Sequence, residues 1–503
     1  MPSNALKTAS IIFFVIGFGI FLLLNIVPVI VTLFMSMQDF MPWSGLLGSP
    51  WVGFYNYAEF FNSAVFQRLL SNSLALSLVP AALAVTFALP ISLVIGGMEA
   101  GKPRSAATFM LLLPAFVPDI ILASFALTLL PSSVLADPAS FRVTMILLSA
   151  LKPISLCAFI GACAAGTYND RGKNIFHGAL AGVIVGIAVN LIRFLSSNLE
   201  LHTLIYHPMV YSTADTFDTF IFHTGMWQFQ FSSSASVWIV KTVLQLLAVL
   251  VVFLIVLPQI DPRDHFTVSD TPYRDNTSSG SGIILGFLFA AAFLVFLLAP
   301  ALLAGSHSFP GNSSMSLLAL LLAIGNNLLI TVFSSILFIS LLLILAVWCH
   351  VHFGKGTILL ILISSAIVNN ISGEFLFYRN FGLINSYLPV IFSGIFNFSF
   401  VLATAYLAQL KNSNPDNFGS LFHTFSPYLS AFFGVFIANI WGSSFYQMIY
   451  MPNQSQWGIP LFLRGSFSSG VGPAHSLILS IAIPVLLFAI VTGLFFIKTD
   501  HQK

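Results

Sequence analysis

QIDPRDHFTVSDTPYRDNTSSGSG, Gln259 to Gly282, is the one long polar stretch in a chain that is otherwise apolar. Its charges, prolines, serines and glycines give it little apolar surface to bury, so it reads as a solvated linker. It falls almost at the midpoint of the 503 residues. What lies on either side of it decides the fold.

The chain is 57% hydrophobic and 7% charged, with a mean hydropathy of +0.96. A soluble domain carries about 25% charged residues because its surface faces water. The bilayer is therefore the natural solvent here. A helix crosses the hydrocarbon core with about 20 apolar residues. Six such runs precede the linker: Ile11–Met35, Ser73–Gly97, Ala106–Leu130, Val143–Gly166, Ala179–Ser196 and Ser234–Pro258. Six follow it: Ile283–Gly305, Asn327–Trp348, Ile358–Ser372, Ile384–Leu407, Pro427–Phe445 and His475–Ile497. The ninth is interrupted by Asn369 and Asn370. The first is too long for a signal-peptide core and has no small-residue cleavage site after it, so it reads as a retained span. The expectation is an all-α polytopic membrane protein of twelve spans, as two parallel six-helix halves, 1–258 and 283–503, joined by the cytoplasmic linker 259–282.

Basic residues set the orientation. With the N-terminus inside, the inside segments hold Lys7, Lys102, Arg104, Arg171, Lys173, Arg263, Arg274, Lys355, Lys411, Lys498 and Lys503. The outside segments hold Arg68, Arg142, Arg379 and Arg464. Both termini are expected in the cytoplasm. A formal net charge of +2 suggests no nucleic-acid partner. Cys157, Cys163 and Cys349 lie in apolar runs without Cys-x-x-Cys spacing, so no metal is expected. No phosphate-binding Gly-rich loop, His-Glu-x-x-His or Gly-x-Ser-x-Gly motif occurs, so neither catalysis nor a cofactor is expected of this chain. Any ATP hydrolysis must come from another polypeptide.

Each half opens with one span, then an outside segment, then an asparagine at the head of the second span. The first reads WVGFYNYAEFFNSAVFQRLLSNSLALSL, Trp51–Leu78; the second has Asn326 and Asn327 in SSMSLLALLLAIGNNLLITVFSS. The first of these segments resembles the region before the second span of type-I importer permeases, the membrane subunits of ATP-binding-cassette uptake systems. MVYSTADTFDTFIFHTGMWQFQFSSSASVWIVK, Met209–Lys241, resembles the outside loop and last-span approach of their oligosaccharide and polysaccharide types. Ala214, Asp215, Asp218, Thr219, Phe222, Gly225, Phe231, Ser232, Ala235 and Lys241 stand at matching positions. In the second half FYRNFGLINSYLPVI (Phe377–Ile391), Trp441 and WGIPLFLRG (Trp457–Gly465) resemble the partner permease.

The resemblance implies a fused pair of permeases in a bacterial plasma membrane. It implies cytoplasmic ABC ATPase subunits, an extracytoplasmic solute-binding protein and a carbohydrate substrate, with membrane lipid around the chain. Asp215, Asp218, Thr219 and Gly225 are then expected to face the binding protein. ATPase coupling is expected at Thr167–Gly178, with Arg171, Lys173 and Asn174, and at Ala408–Pro427, with Lys411, Asn414 and Phe418. Both loops lack the family's Glu-Ala-Ala…Gly pattern. An active importer with a diverged ATPase and a relic that binds without transporting both fit this erosion. A secondary carrier would need coupling-ion residues, and membrane-depth carboxylates are few. A receptor or scaffold is the remaining rival.

Ionisable groups at bilayer depth are costly and each is a functional candidate. Asp119 follows Pro114 and Pro118, which predict a helix break that lines a cavity. Lys152 precedes Pro153, which predicts a kink. Arg193 and Lys241 are expected to snorkel to the interface. Asn190, Asn369, Asn370, Glu374, Asn439 and Trp441 offer the amides, carboxylate and aromatic face that a sugar needs. Interhelical hydrogen bonding is the competing reading of each.

Overall fold

The computed structural model describes residues 11, 15–191, 194–255, 279–304, 317–368, 370–411, 418–468 and 475–501. Those residues are overwhelmingly helical, and their one β feature is a bridge between Gln38 and Trp51. Among the described residues eight helices are long and apolar enough to cross a membrane: Val15–Ser36 (α1), Ala64–Gly96 (α2), Pro138–Asp170, Phe231–Val251, Gly280–Leu303, Leu318–Val351, Gly419–Trp441 and Ser476–Asp500. Two bent pairs raise the number to ten: Lys102–Phe116 (α3) with Asp119–Leu129 (α4), at 72°, and Lys355–Ile367 with Ile371–Asn380, at 73°. The chain is a multi-pass membrane protein.

The remaining two expected spans are shorter. Ile175–Leu191 has 17 residues, the short end of the range that crosses the core. The expected Ile384–Leu407 is split into Leu388–Phe392 and Phe398–Lys411, with Gly394 at φ +76° between them. That left-handed backbone favours glycine and stops a helix. Pro138–Asp170 is continuous through Pro153, so the kink expected there does not break the helix. The linker from Arg263 to Arg274, Arg193, Asn369 and Asn414 lie outside the described residues.

We number the later helices α5 (Pro138–Asp170), α6 (Ile175–Leu191), α7 (Leu199–Ile205), α8 (Phe217–Phe222), α9 (Phe231–Ile255), α10 (Ser279–Ala304), α11 (Leu317–Val351), α12 (Lys355–Ile367), α13 (Ile371–Asn380), α14 (Phe398–Lys411), α15 (Phe418–Trp441), α16 (Phe445–Tyr450) and α17 (His475–His501). Small residues set their spacing. A Cβ on Gly96 would lie 2.3 Å from Ala165 Cβ, and one on Gly161 would lie 2.2 Å from Ser92 Oγ. Both glycines let α2 approach α5 closely, the usual means of packing helices where lipid removes the hydrophobic drive.

Helices before and after the linker interlock. α10 packs on α3, α4 and α17, while α9 packs on α1, α12 and α13. One large core runs across this seam. Phe159 of α5 meets Phe432 of α15 at 5.9 Å and Phe496 of α17 at 5.7 Å, ring centre to ring centre. A Cβ on Gly442, just after α15, would lie 2.2 Å from Pro118 Cβ, so the α3–α4 break is itself part of the seam.

Candidate functional site

Polar side chains cluster along the seam at three levels. The middle one is built on the α3–α4 break. Pro118, in extended backbone, ends α3 and starts α4, which places Asp119 in the first turn of α4. Lys152 Nζ of α5 lies 2.8 Å from Asp119 Oδ1 and donates to Asn439 Oδ1 of α15 at 2.6 Å. Asn439 Nδ2 donates to Ala115 O at 2.9 Å, inside the break. An opened helix thus offers a carbonyl that a regular one would keep. The Asp119 and Lys152 side chains remain 19% and 23% exposed, so the pair is accessible rather than sealed.

A second level, at one end of the seam, contains the segment between α6 and α9. Asp215 accepts hydrogen bonds from Arg68 at 3.0 Å, Tyr206 at 3.0 Å and Thr219 at 2.8 Å. Asp218 accepts from Lys241 at 2.5 Å and from the Ser197 backbone N–H at 2.7 Å. Thr216 and Thr219 close a capping box at the start of α8. Asp215, Asp218 and Thr219 are buried, and Gly225 packs against Ser234 and Ser372. These four residues fold the segment from within rather than line its surface. Lys241 is 3% exposed and paired with Asp218, which corrects the expectation that it snorkels. Asn72, at the head of α2, donates to the Ser212 and Asp215 carbonyls at 3.2 and 2.9 Å. Asn326 of α11 does the same for the Ser455 and Trp457 carbonyls, at 2.9 and 3.2 Å.

A third level, at the opposite end, joins the ends of α5 and α14. Arg171 donates to the Leu410 carbonyl, and Lys411 pairs with Asp500 of α17, which also accepts from Ser105 of α3 at 2.7 Å. Lys173 lies over the Tyr168 ring at 5.9 Å, and burial followed by the Arg171 charge lowers its pKa. Asn174 accepts from the Phe176 N–H at 2.9 Å. Phe418 opens α15; nothing of its side chain is described.

The other candidates stay apart from these levels. Asn190 donates to Gly186 O at 2.8 Å on its own helix and to Cys157 Sγ at 3.3 Å. Asn370 caps α13 through Gly373 N and donates to Thr32 Oγ1 of α1 at 2.7 Å. Glu374 sits in the first turn of α13, with the Asn370 backbone N–H beside its carboxylate. Trp441 is buried and donates to Ser480 O at 3.3 Å. Asp119 and Asn439 are the two pathway candidates brought together. Among the described residues no group of His, Cys, Asp or Glu could hold a metal.

No protein-family profile matches the chain. Two curated proteins of Bacillus subtilis are similar to it. The polygalacturonan/rhamnogalacturonan transport system permease protein YteP is 26% identical over 267 residues, covering 46% of this chain and 82% of that protein. Protein LplB is 27% identical over 252 residues, 42% of this chain and 78% of its own length. The chain resembles sugar-transport permeases. Two crystal structures of a bacterial alginate ABC transporter also align, at TM-scores of 0.35 and 0.34 and identities of 21% and 24%. They cover 40% of this chain and 81% and 82% of theirs.

One further bridge, across the seam, has no signal in the sequence. Glu200 of α7 accepts from Ser443 Oγ at 2.8 Å and from Ser444 N and Oγ, both at 2.6 Å, at the start of α16. Arg464 donates to Thr203 O at 3.2 Å, and its pKa is lowered by burial against the favourable Glu200 charge. Nothing local in the sequence marks Glu200, whose partners lie 243 to 245 residues away. Asp500 was equally hidden: its partners Lys411 and Ser105 are remote from it in the chain.

Proposed function

We propose that this chain is the transmembrane permease of a bacterial ABC-type carbohydrate importer, carrying two permease halves in one polypeptide. One observation carries the reading: 46% of the chain covers 82% of a sugar-transport permease. More than half of the chain is then left over, enough for a second unit of the same size. The bends of 72° and 73°, in the third expected span of each half, support that repeat. So do Asn72 and Asn326, which hold outer-segment carbonyls from the heads of corresponding helices.

The chain is a transport subunit, not an enzyme. Its work is to form the pathway along the seam, with twelve spans when α6 and α14 complete the two halves and both termini in the cytoplasm. Separate ATPase subunits dock beneath Arg171–Asn174 and around Lys411, and a solute-binding protein delivers an oligosaccharide to the outer segment. Asp119, Lys152 and Asn439 meet the substrate when the halves part.

A second reading has one observation in its favour. α5 ends at Asp170 and α6 starts at Ile175, which leaves no room for a separate coupling helix between them. A non-transporting receptor derived from a permease fits that loss. Affinity purification from native membranes separates the two. Recovery of an ATPase and a solute-binding lipoprotein, with saccharide-stimulated ATP hydrolysis, is the importer's result. Recovery of neither, where a control importer keeps its ATPase, establishes the receptor.

A further inference from the structure

Beside the outer seam, aromatic rings are arranged in a way that the ion-pair bridges do not explain. Tyr206 and Tyr211 stack at 4.6 Å and 14° between planes. His223 stands edge-on to Tyr211 at 5.9 Å and to Trp227 at 4.3 Å. Trp227 is 60% exposed. The Tyr211 hydroxyl, the His223 ring and the Trp227 indole N–H hydrogen-bond to none of the described residues. An exposed indole thus stands beside two half-buried rings, and each of the three carries a polar atom that the described residues leave unpaired. Phe222 ties the group to the other side of the seam, meeting Trp227 at 5.5 Å and Phe445 of α16 at 5.3 Å.

We propose that Tyr211, His223 and Trp227 form a stacking platform for a pyranose ring of the incoming saccharide at the outer end of the seam. This rests on the importer reading and adds a binding site to it. A pyranose presents axial C–H bonds on its faces and hydroxyls on its rim, so it fits an aromatic face bordered by donors and acceptors. A purely apolar partner would leave those handles unpaired, which costs free energy once water is excluded. Burial lowers the His223 pKa, against the Asp215 charge, so the ring is neutral and can both donate and accept. Tyr206 acts as a positioning residue. Its hydroxyl is committed to Asp215 at 3.0 Å, which fixes the ring on which Tyr211 stacks.

The test uses the full chain, purified into lipid nanodiscs, with short oligogalacturonides and neutral malto-oligosaccharides of equal length as probes. Calorimetric titration should show binding of at least one probe. Trp227→Ala should weaken it about five- to tenfold, the worth of one aromatic contact. Trp227→Phe should keep most of the affinity, and Tyr211→Phe should shift the preference between the two probes. Affinity unchanged in Trp227→Ala, or no binding of either probe to the wild type, overturns the platform. So does stronger quenching of the wild type than of Trp227→Ala by lipids brominated in their acyl chains, because Trp227 would then be an interfacial anchor. Uptake by cells separates this failure from failure of the importer reading. Saccharide uptake with unchanged KM in Trp227→Ala removes the platform and leaves the importer; no uptake by the wild type and no associated ATPase removes both.

Discussion

Asp218 and Lys241 show how a residue's chemistry can be legible while its role is not. Both stand at recognisable positions in Met209–Lys241, yet they face each other inside the fold, with side chains 8% and 4% exposed. Removing one partner of such a pair leaves an uncompensated charge. Asp218→Asn should therefore cost about 3–5 kcal/mol of stability, read as a lower Tm, and Lys241→Met in the same chain should restore much of it. No rescue by the double variant would mean that Ser197, rather than Lys241, is the partner that counts. His202 gives a pH prediction. Its Nδ1 meets Asn198 O at 3.0 Å, its Nε2 is buried without a partner, and burial pulls its pKa down to about 4, against the Asn198 bond and the Asp218 charge. The unfolded chain binds the proton first, near pH 6.5. Stability contributed by neutral His202 is thus present above that pH and falls by about 1.4 kcal/mol per unit as pH drops towards 4. Limited proteolysis of the outer segment between pH 7 and 4 should show the loss, and His202→Gln should flatten the profile. An identical profile in that variant would assign the titration elsewhere.

Elements were read from the sequence where one local rule decided them. Pro114 and Pro118 predict a break, and the structure has one, with a 72° bend. Pro153 obeys the same local rule but lies in a continuous 33-residue helix, because α5 is held along its length by α2 and α6. Proline removes one donor in either place; packing decides whether the helix yields. The Pro118 break matters because it aims Asp119 at Lys152 and leaves Ala115 O for Asn439. Pro118→Ala, which permits a continuous helix, should lower stability by about 1–3 kcal/mol. It should also reduce the initial rate of saccharide uptake while leaving ATPase association intact. Normal uptake would show that the middle bridge is packing alone.

At the scale of the whole molecule, the seam is held by side chains from both sides of the linker, from Glu200 and Ser444 to Arg171 and the Leu410 carbonyl. The parts of the chain before and after the linker should assemble without its covalent bond, since the contacts described between them lie elsewhere. Chains divided within Gln259–Gly282 and co-expressed should copurify and restore uptake, whereas either alone should not. Failure of the two pieces to associate, with each inserted in the membrane, would show that the linker itself does more than connect.

Local composition was enough for the solvent, the helical class and most of the spans, because hydrocarbon imposes a length and a composition on every segment separately. It also marked Asp119 as costly in a membrane and Asn439 as an amide suited to a sugar hydroxyl. Only the tertiary structure decided that these two meet through Lys152, that Asp215, Asp218 and Thr219 turn inward, and that Glu200 and Asp500 bridge the seam. The reason is range: a span is a property of some twenty consecutive residues, whereas Lys152 and Asn439 are 287 apart in the chain and are joined only by the packing of everything between.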